Sequence, residues 1–271
     1  MRFYTLIATG LLFAAPVFAG PVASGFDSNT FSANDDGSTG SLSLGFNANF
    51  FGTTYSTAYV GNNGFLTFDS GMSAYTPYGL GSGYSGQPII APFFADVDTR
   101  DSGSGLTSYG TGTYAGRTAF GATWPTVGYY GAHADKLNTF QVILTDRSDI
   151  AAGDFDIYFN YDSIQWETGD ASSGNDGYGG ESAAAGFNAG SGNAAGTYYQ
   201  FAGSLVNGAL LDNGPNSLAA GTNNGVTGQY LFTVRSGQVI VPPNDVPEPS
   251  GIALVALALA GLVIQRRRAT R

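Results

Sequence analysis

The chain has 271 residues, of which only 11% are charged, with 20 acidic side chains against 10 basic ones and 41 glycines. A formal net charge of −10 repels nucleic acid and anionic lipid and attracts cations, so a nucleic-acid partner is excluded. Cysteine is absent, which removes disulfides and a cysteine nucleophile and leaves burial and backbone pairing to supply stability.

At the start of the chain, Arg2 precedes a mostly apolar stretch over residues 6–17, and Val17-Phe18-Ala19 has the small-residue pattern of a secretory cleavage site. Residues 1–19 are therefore expected to be a signal peptide cut between Ala19 and Gly20, with the remainder exported. Residues 20–40 hold Ser, Asn, Asp and Gly with few apolar anchors and are expected to form a loose lead-in.

Residues 41–240 are predicted to be all-β, a single sandwich-like domain with long Gly/Ser/Tyr-rich loops. Soluble helices need Glu, Lys and Arg on their wet face, yet this body has one lysine, Lys136, and is rich in Tyr, Phe, Thr and Gly. Leu42, Leu44 and Phe46 alternate with small or polar residues, as a half-buried strand requires. Gly61-Asn62-Asn63-Gly64 then reads as a hairpin turn between two apolar runs. Pro92 interrupts a strand-like stretch and predicts an edge or a bulge there. Phe155, Ile157, Phe159 and Tyr161 alternate with Asp154, Asp156, Tyr158 and Asn160, predicting a strand with one wet, acidic face. Tyr230, Phe232 and Val234 give a late strand, and residues 75–86, 102–116 and 169–180 are expected to be loops.

Asp96, Asp98 and Asp101 form the best candidate metal-binding constellation. Two carboxylates at i and i+2 on a strand share a face, and a third from the following turn can reach back; calcium takes several such oxygens at a strand–loop junction. The spacing is not that of an EF-hand, and a solvated acidic strand end paired with Arg100 or Arg117 is the competing interpretation. Gly81-x-Gly83-x-x-Gly86 matches a dinucleotide fingerprint literally, as Gly110-x-Gly112-x-x-Ala115 nearly does, but neither follows a strand and opens a helix as phosphate binding requires. His133 is the one histidine and sits among small residues, so a histidine-based triad has a single base to draw on. No catalytic residue and no organic cofactor is assigned. Tyr75, Tyr78, Tyr84, Tyr109, Tyr114, Tyr129 and Tyr130 lie in or beside glycine-rich loops, where they can stack on sugars or a protein partner, or fold back over the sheet.

Residues 241–249 are a Pro-rich linker containing Pro247-Glu248-Pro249; an uncharged apolar run over 250–265 follows, and residues 266–271 form a basic tail with Arg266, Arg267 and Arg268. Sixteen helical residues rise roughly 24 Å against about 30 Å of hydrocarbon, so the run is expected to be a short transmembrane helix with its arginines in the cytoplasm.

That order of parts resembles the PEP-CTERM sorting signal of exported proteins of Gram-negative bacteria. The resemblance implies recognition by an exosortase at Pro247-Glu248-Pro249, with the helix and Arg266–Arg268 as processing determinants. It further implies a transient inner-membrane precursor and passage to the cell surface or extracellular matrix, in the company of exopolysaccharide. The body resembles nidogen-type extracellular (NIDO) domains in five segments, in order. These are Phe50-Phe51-Gly52-Thr53-Thr54-Tyr55 with Tyr59-Val60-Gly61-Asn62-Asn63-Gly64-Phe65-Leu66-Thr67-Phe68; Ile90-Ala91-Pro92-Phe93-Phe94-Ala95-Asp96-Val97-Asp98-Thr99-Arg100; Asn138-Thr139-Phe140-Gln141-Val142-Ile143-Leu144; Ile164-Gln165-Trp166-Glu167-Thr168-Gly169; and Ala185-Gly186-Phe187-Asn188-Ala189-Gly190. This resemblance implies cell–matrix or biofilm adhesion rather than chemistry, with exopolysaccharide or matrix and surface proteins as partners. A self-associating structural matrix protein and a glycan-active enzyme are the alternatives.

Overall fold

A computed structural model of the protein describes residues 21–192 and 194–241. The signal peptide with its Ala19–Gly20 cleavage point, Pro247-Glu248-Pro249, the apolar run 250–265 and Arg266–Arg268 lie outside the described residues. Among the described residues, no helix is long and apolar enough to cross a membrane.

Within that span the strands are β1 (Asn29–Thr30), β2 (Leu42–Phe50), β3 (Thr53–Gly61), β4 (Phe65–Thr67), β5 (Ile89–Phe94), β6 (Val97–Asp98), β7 (Ser108–Tyr114), β8 (Arg117–Tyr129), β9 (His133–Asp146), β10 (Phe155–Ser163), β11 (Ala184–Asn188), β12 (Tyr198–Gln200), β13 (Gln229–Arg235) and β14 (Gln238–Ile240), with one 3-10 turn at Asp170–Ser172. They form two sheets. One runs β1-β7-β8-β9-β10-β13-β14 with β6 also paired to β8; the other runs β12-β11-β5-β4-β3-β2. The described residues form the predicted all-β, sandwich-like domain.

Alternation places one apolar row of each strand in the space between the sheets. Leu44, Ala48 and Phe50 of β2 meet Phe120, Ala122 and Trp124 of β8, Phe140 and Val142 of β9, and Phe155, Ile157 and Phe159 of β10 in one buried cluster. Trp124 stacks on Phe140 at 5.0 Å between ring centroids, and Trp166 meets Phe93 edge-on at 6.0 Å. Residues 61–65 form the expected hairpin: Gly61 pairs with Phe65, and Gly64 takes a left-handed φ of +82°. A Cβ on Gly64 would lie 1.8 Å from the Phe93 carbonyl oxygen, so both conformation and space demand glycine. At Pro92 the β5–β11 register slips: Gly186 faces Ala91 while Ala184 faces Phe94, which puts one extra residue on β5. Pro92 is therefore accommodated inside the sheet by a bulge, and its carbonyl accepts the Tyr161 hydroxyl at 2.7 Å.

Three expectations are corrected. Residues 21–40 are not a loose lead-in but a cover tied to both sheets, with residues 23–30 on the larger one and Ser38 and Thr39 bonded to β3 of the other. Phe26 is buried against Ala119 and Ile143, Ala23 exchanges backbone hydrogen bonds with the Gln141 side chain, and β1 pairs with β7. Residues 102–116 are not all loop, since β7 lies within them. Its glycines serve close approach: a Cβ on Gly110 would clash with Ser28, and one on Gly112 would lie 2.6 Å from the Gly25 carbonyl oxygen. The second face of β10 is not wet either. Asp156 is buried and held by Arg147 and Arg235, each at 2.7 Å, while buried Asn160 joins Gln141 and Gln229 through side-chain hydrogen bonds.

Candidate functional site

Asp96 lies between β5 and β6, where three segments are tied together by hydrogen bonds. The Asn34–Asp36 stretch of the cover meets the residue 95–99 segment through Asn34 N–H to Thr99 Oγ1 and Thr99 N–H to the Asn34 carbonyl, both 2.9 Å. The hairpin turn joins both: Asn62 Nδ2 donates to the carbonyls of Asp35 and Val97, each at 2.6 Å. Asn63 Nδ2 donates to Asp36 Oδ1 at 2.9 Å, and Asn63 Oδ1 accepts Val97 N–H at 2.8 Å.

Acidic groups converge at this junction. Among the described residues, Asp35, Asp36 and Asp96 are the one set of three whose ligand atoms all lie within 4.8 Å of one another. Asp96 has no exposed surface, and neither of its carboxylate oxygens has a hydrogen-bond partner. Asp35 Oδ1 and Asn62 Oδ1 are likewise buried without one. Gly169, from the tryptophan-bearing segment, abuts this carboxylate: a Cβ there would fall 2.5 Å from Asp96 Oδ2. Burial, then the charges of Asp35, Asp36 and Asp98, pushes the Asp96 carboxyl up to about 7 against the pull of Arg100. Asp35 is pushed up to about 6, first by burial and then by Asp36 and Asp98.

The sequence-predicted trio of Asp96, Asp98 and Asp101 is thus divided. Asp98 belongs to Arg100, whose Nε and Nη2 grip its two oxygens at 2.8 and 2.6 Å, while the Arg100 and Ala132 backbone N–H groups also donate to it. Burial acts to raise the Asp98 carboxyl, but these hydrogen bonds and the guanidinium charge outweigh it and hold the group below the usual range. Asp101 Oδ1 accepts Gly103 N–H at 2.7 Å and caps its own loop. The i, i+2 argument failed because Asp96 precedes β6 rather than sharing a strand with Asp98. Asp35 and Asp36 lie in a segment with few apolar anchors, so nothing local in the sequence ties them to Asp96. Their signal is present in the sequence as its one pair of adjacent acidic residues, in Asn34-Asp35-Asp36-Gly37.

The remaining candidates fall mostly into the packing. His133 Nε2 lies 3.0 Å from Asp170 Oδ2, and its ring stacks on buried Tyr129. Tyr84 is also buried, Tyr114 meets Tyr158 edge-on, and Tyr130 lies beneath the Arg100 guanidinium at 5.8 Å. Tyr109 is half-buried, whereas Tyr75 and Tyr78 remain exposed. Buried Glu167 accepts Gly208 N–H with both oxygens, at 2.7 and 2.8 Å, and so ties the tryptophan-bearing segment to the 203–216 loops.

Two antiparallel sheets over one aromatic core, with an acidic junction where cover, hairpin and β5–β6 segment meet, define an all-β sandwich domain. The chain belongs to the nidogen-like domain (NIDO) family, whose model matches residues 56–236. The PEP-CTERM protein-sorting motif matches residues 245–268. Similar proteins include alpha-tectorin of Mus musculus, 34% identical over 179 residues that cover 58% of this chain and 8% of that protein. Alpha-tectorin of Gallus gallus is 30% identical over 233 residues, covering 78% of this chain and 10% of that protein. Nidogen of Drosophila melanogaster is 32% identical over 117 residues, covering 35% and 8%. The chain therefore spans about a tenth of the length of these relatives. No solved structure matches it.

Proposed function

We propose that this is an exported protein, processed by an exosortase at Pro247-Glu248-Pro249 and delivered to the surface or extracellular matrix of a Gram-negative bacterium. There its nidogen-like domain acts in adhesion within the exopolysaccharide-rich matrix rather than in catalysis. The observation that carries the proposal is the pairing of a nidogen-like domain over residues 56–236 with a sorting motif over residues 245–268. The leader at residues 1–19 agrees with that route, because export needs an entry signal before a sorting signal can act.

Surface chemistry favours a neutral or cation-bridged polymer as partner over an anionic one, since residues 20–245 carry nineteen acidic and five basic side chains. Half-buried Tyr199 and Tyr230 line a groove of about 400 Å3 with Asn216, Ser217 and Asn223, a mixture of aromatic edges and amides suited to contact and hydrogen bonding with sugar rings. The test is co-sedimentation of the purified chain with exopolysaccharide from a matrix-forming host. Retention that Asn216→Ala, at an exposed position in the groove, weakens at least threefold, with the melting temperature held within a few degrees, supports the proposal. Sedimentation no greater than that of an unrelated acidic protein contradicts it.

A further inference from the structure

The acidic junction has the composition of a hard-cation site. Asp35, Asp36 and Asp96 place carboxylate oxygens within 4.8 Å of one another, a span that one ion with about 2.4 Å bonds bridges. The positive charge near them is already engaged, because Arg100 is bound to Asp98 at 2.6 Å and to Asp35 at 3.1 Å. Four carboxyl groups, those of Asp35, Asp36, Asp96 and Asp98, thus share one guanidinium. A second observation, separate from the acidic cluster, concerns Asp96. It is wholly buried with both oxygens unpartnered, which is costly for a carboxylate unless a charge or donor meets it. Ordinary packing of a solvated strand end does not produce that arrangement, and residue 169 comes so close to Oδ2 that only glycine fits there.

We propose that Asp35, Asp36 and Asp96 bind one calcium ion. Calcium is favoured over magnesium because it sheds water readily and accepts irregular oxygen sets, whereas magnesium keeps several waters and a buried carboxylate leaves little room for them. The site joins segments far apart in the chain, so the ion pins the cover of residues 21–40 to the β5–β6 segment, beside the turn at residues 61–64. An exported domain meets calcium outside the cell, where sites with affinities of about 10⁻⁴–10⁻³ M suffice. This assignment does not depend on the adhesive role: a calcium site can be present whatever the domain grips.

The test uses the purified full-length chain in detergent, stripped with a chelator and then titrated with calcium chloride or magnesium chloride. Calorimetry should show one calcium per chain, and calcium at a hundred times its Kd should raise the melting temperature by about 5 °C or more, with a smaller response to magnesium. Asp96→Asn should abolish both responses while melting no lower than the chelated parent, because it removes a buried, repelled charge. Asp36→Ala, at a half-exposed position, should weaken calcium at least tenfold. Asp101→Ala should leave calcium binding unchanged. Absence of heat and of any melting shift at 10 mM calcium would overturn the assignment, as would an Asp96→Asn variant that keeps the full calcium response.

Discussion

Asn138 is the residue whose removal most sharply tests how the sandwich is held together. Its side chain is buried at the start of the Asn138–Leu144 motif and closes on the tryptophan-bearing segment: Oδ1 accepts Gln165 N–H at 2.7 Å and Trp166 N–H at 3.1 Å, while Nδ2 donates to the Trp166 carbonyl at 2.8 Å. Asn138→Ala strips partners from three backbone groups. Gln165 is exposed, so water can replace its lost acceptor, but Trp166 is buried and its N–H and C=O have no such recourse. At about 1–3 kcal/mol for each buried group left unsatisfied, the expected loss is about 3–4 kcal/mol. Equilibrium urea unfolding followed by tryptophan fluorescence measures it directly, since the two tryptophans, Trp124 and Trp166, are both buried. Asn138→Asp keeps the acceptor but sets an anionic oxygen against the Trp166 carbonyl, so its deficit should grow as pH rises from about 4 to 7 and the introduced acid ionises. An Asn138→Ala variant within about 0.5 kcal/mol of the parent would refute the claim that this side chain organises the Trp166 segment.

Gly64→Ala should cost at least about 2 kcal/mol more than Gly116→Ala, because both glycines have positive φ but only Gly64 faces a carbonyl oxygen at 1.8 Å; thermal melts of the two variants compare them directly. Phe26→Ala should lose about 3 kcal/mol and make the chain newly sensitive to protease before residue 40, as mass spectrometry of the fragments would show. Asp156→Ala should lose about 2–3 kcal/mol in urea unfolding. Asp156 Oδ1 lies 2.7 Å from Arg235 without hydrogen-bond geometry, so its bond from Arg147 to Oδ2 carries more of that loss, and both arginines can turn partly to water.

Much of the sandwich was legible because its signals are local. Leu44 and Phe50 on β2, Phe155 to Tyr161 on β10 and Phe232 on β13 follow the period of two that a half-buried strand imposes, and the hairpin turn at residues 61–64 and the bulge at Pro92 follow from single-residue geometry. What was not legible depends on distant partners. β7 is written in Ser, Gly and Thr, and its glycines make sense only once Gly25, Phe26 and Ser28 are seen lying against them. The cover at residues 21–40 has few apolar anchors, yet its hydrogen bonds reach Gln141 and Thr99. The acidic site was half visible. Asp96 was identified, but its companions come from the cover, while Asp98 is satisfied by Arg100 two residues later.

Cell fractionation follows the route and destination of the chain. The chain would be expressed in a Gram-negative host that carries an exosortase, with Pro247-Glu248-Pro249 intact or replaced by alanine and glutamine, and the mass of the surface form measured. The intact chain should reach the surface or matrix with residues 1–19 and its C-terminal apolar segment removed, while the altered chain stays at the inner membrane at higher mass. An altered chain that reached the surface at the same mass as the intact one would contradict it.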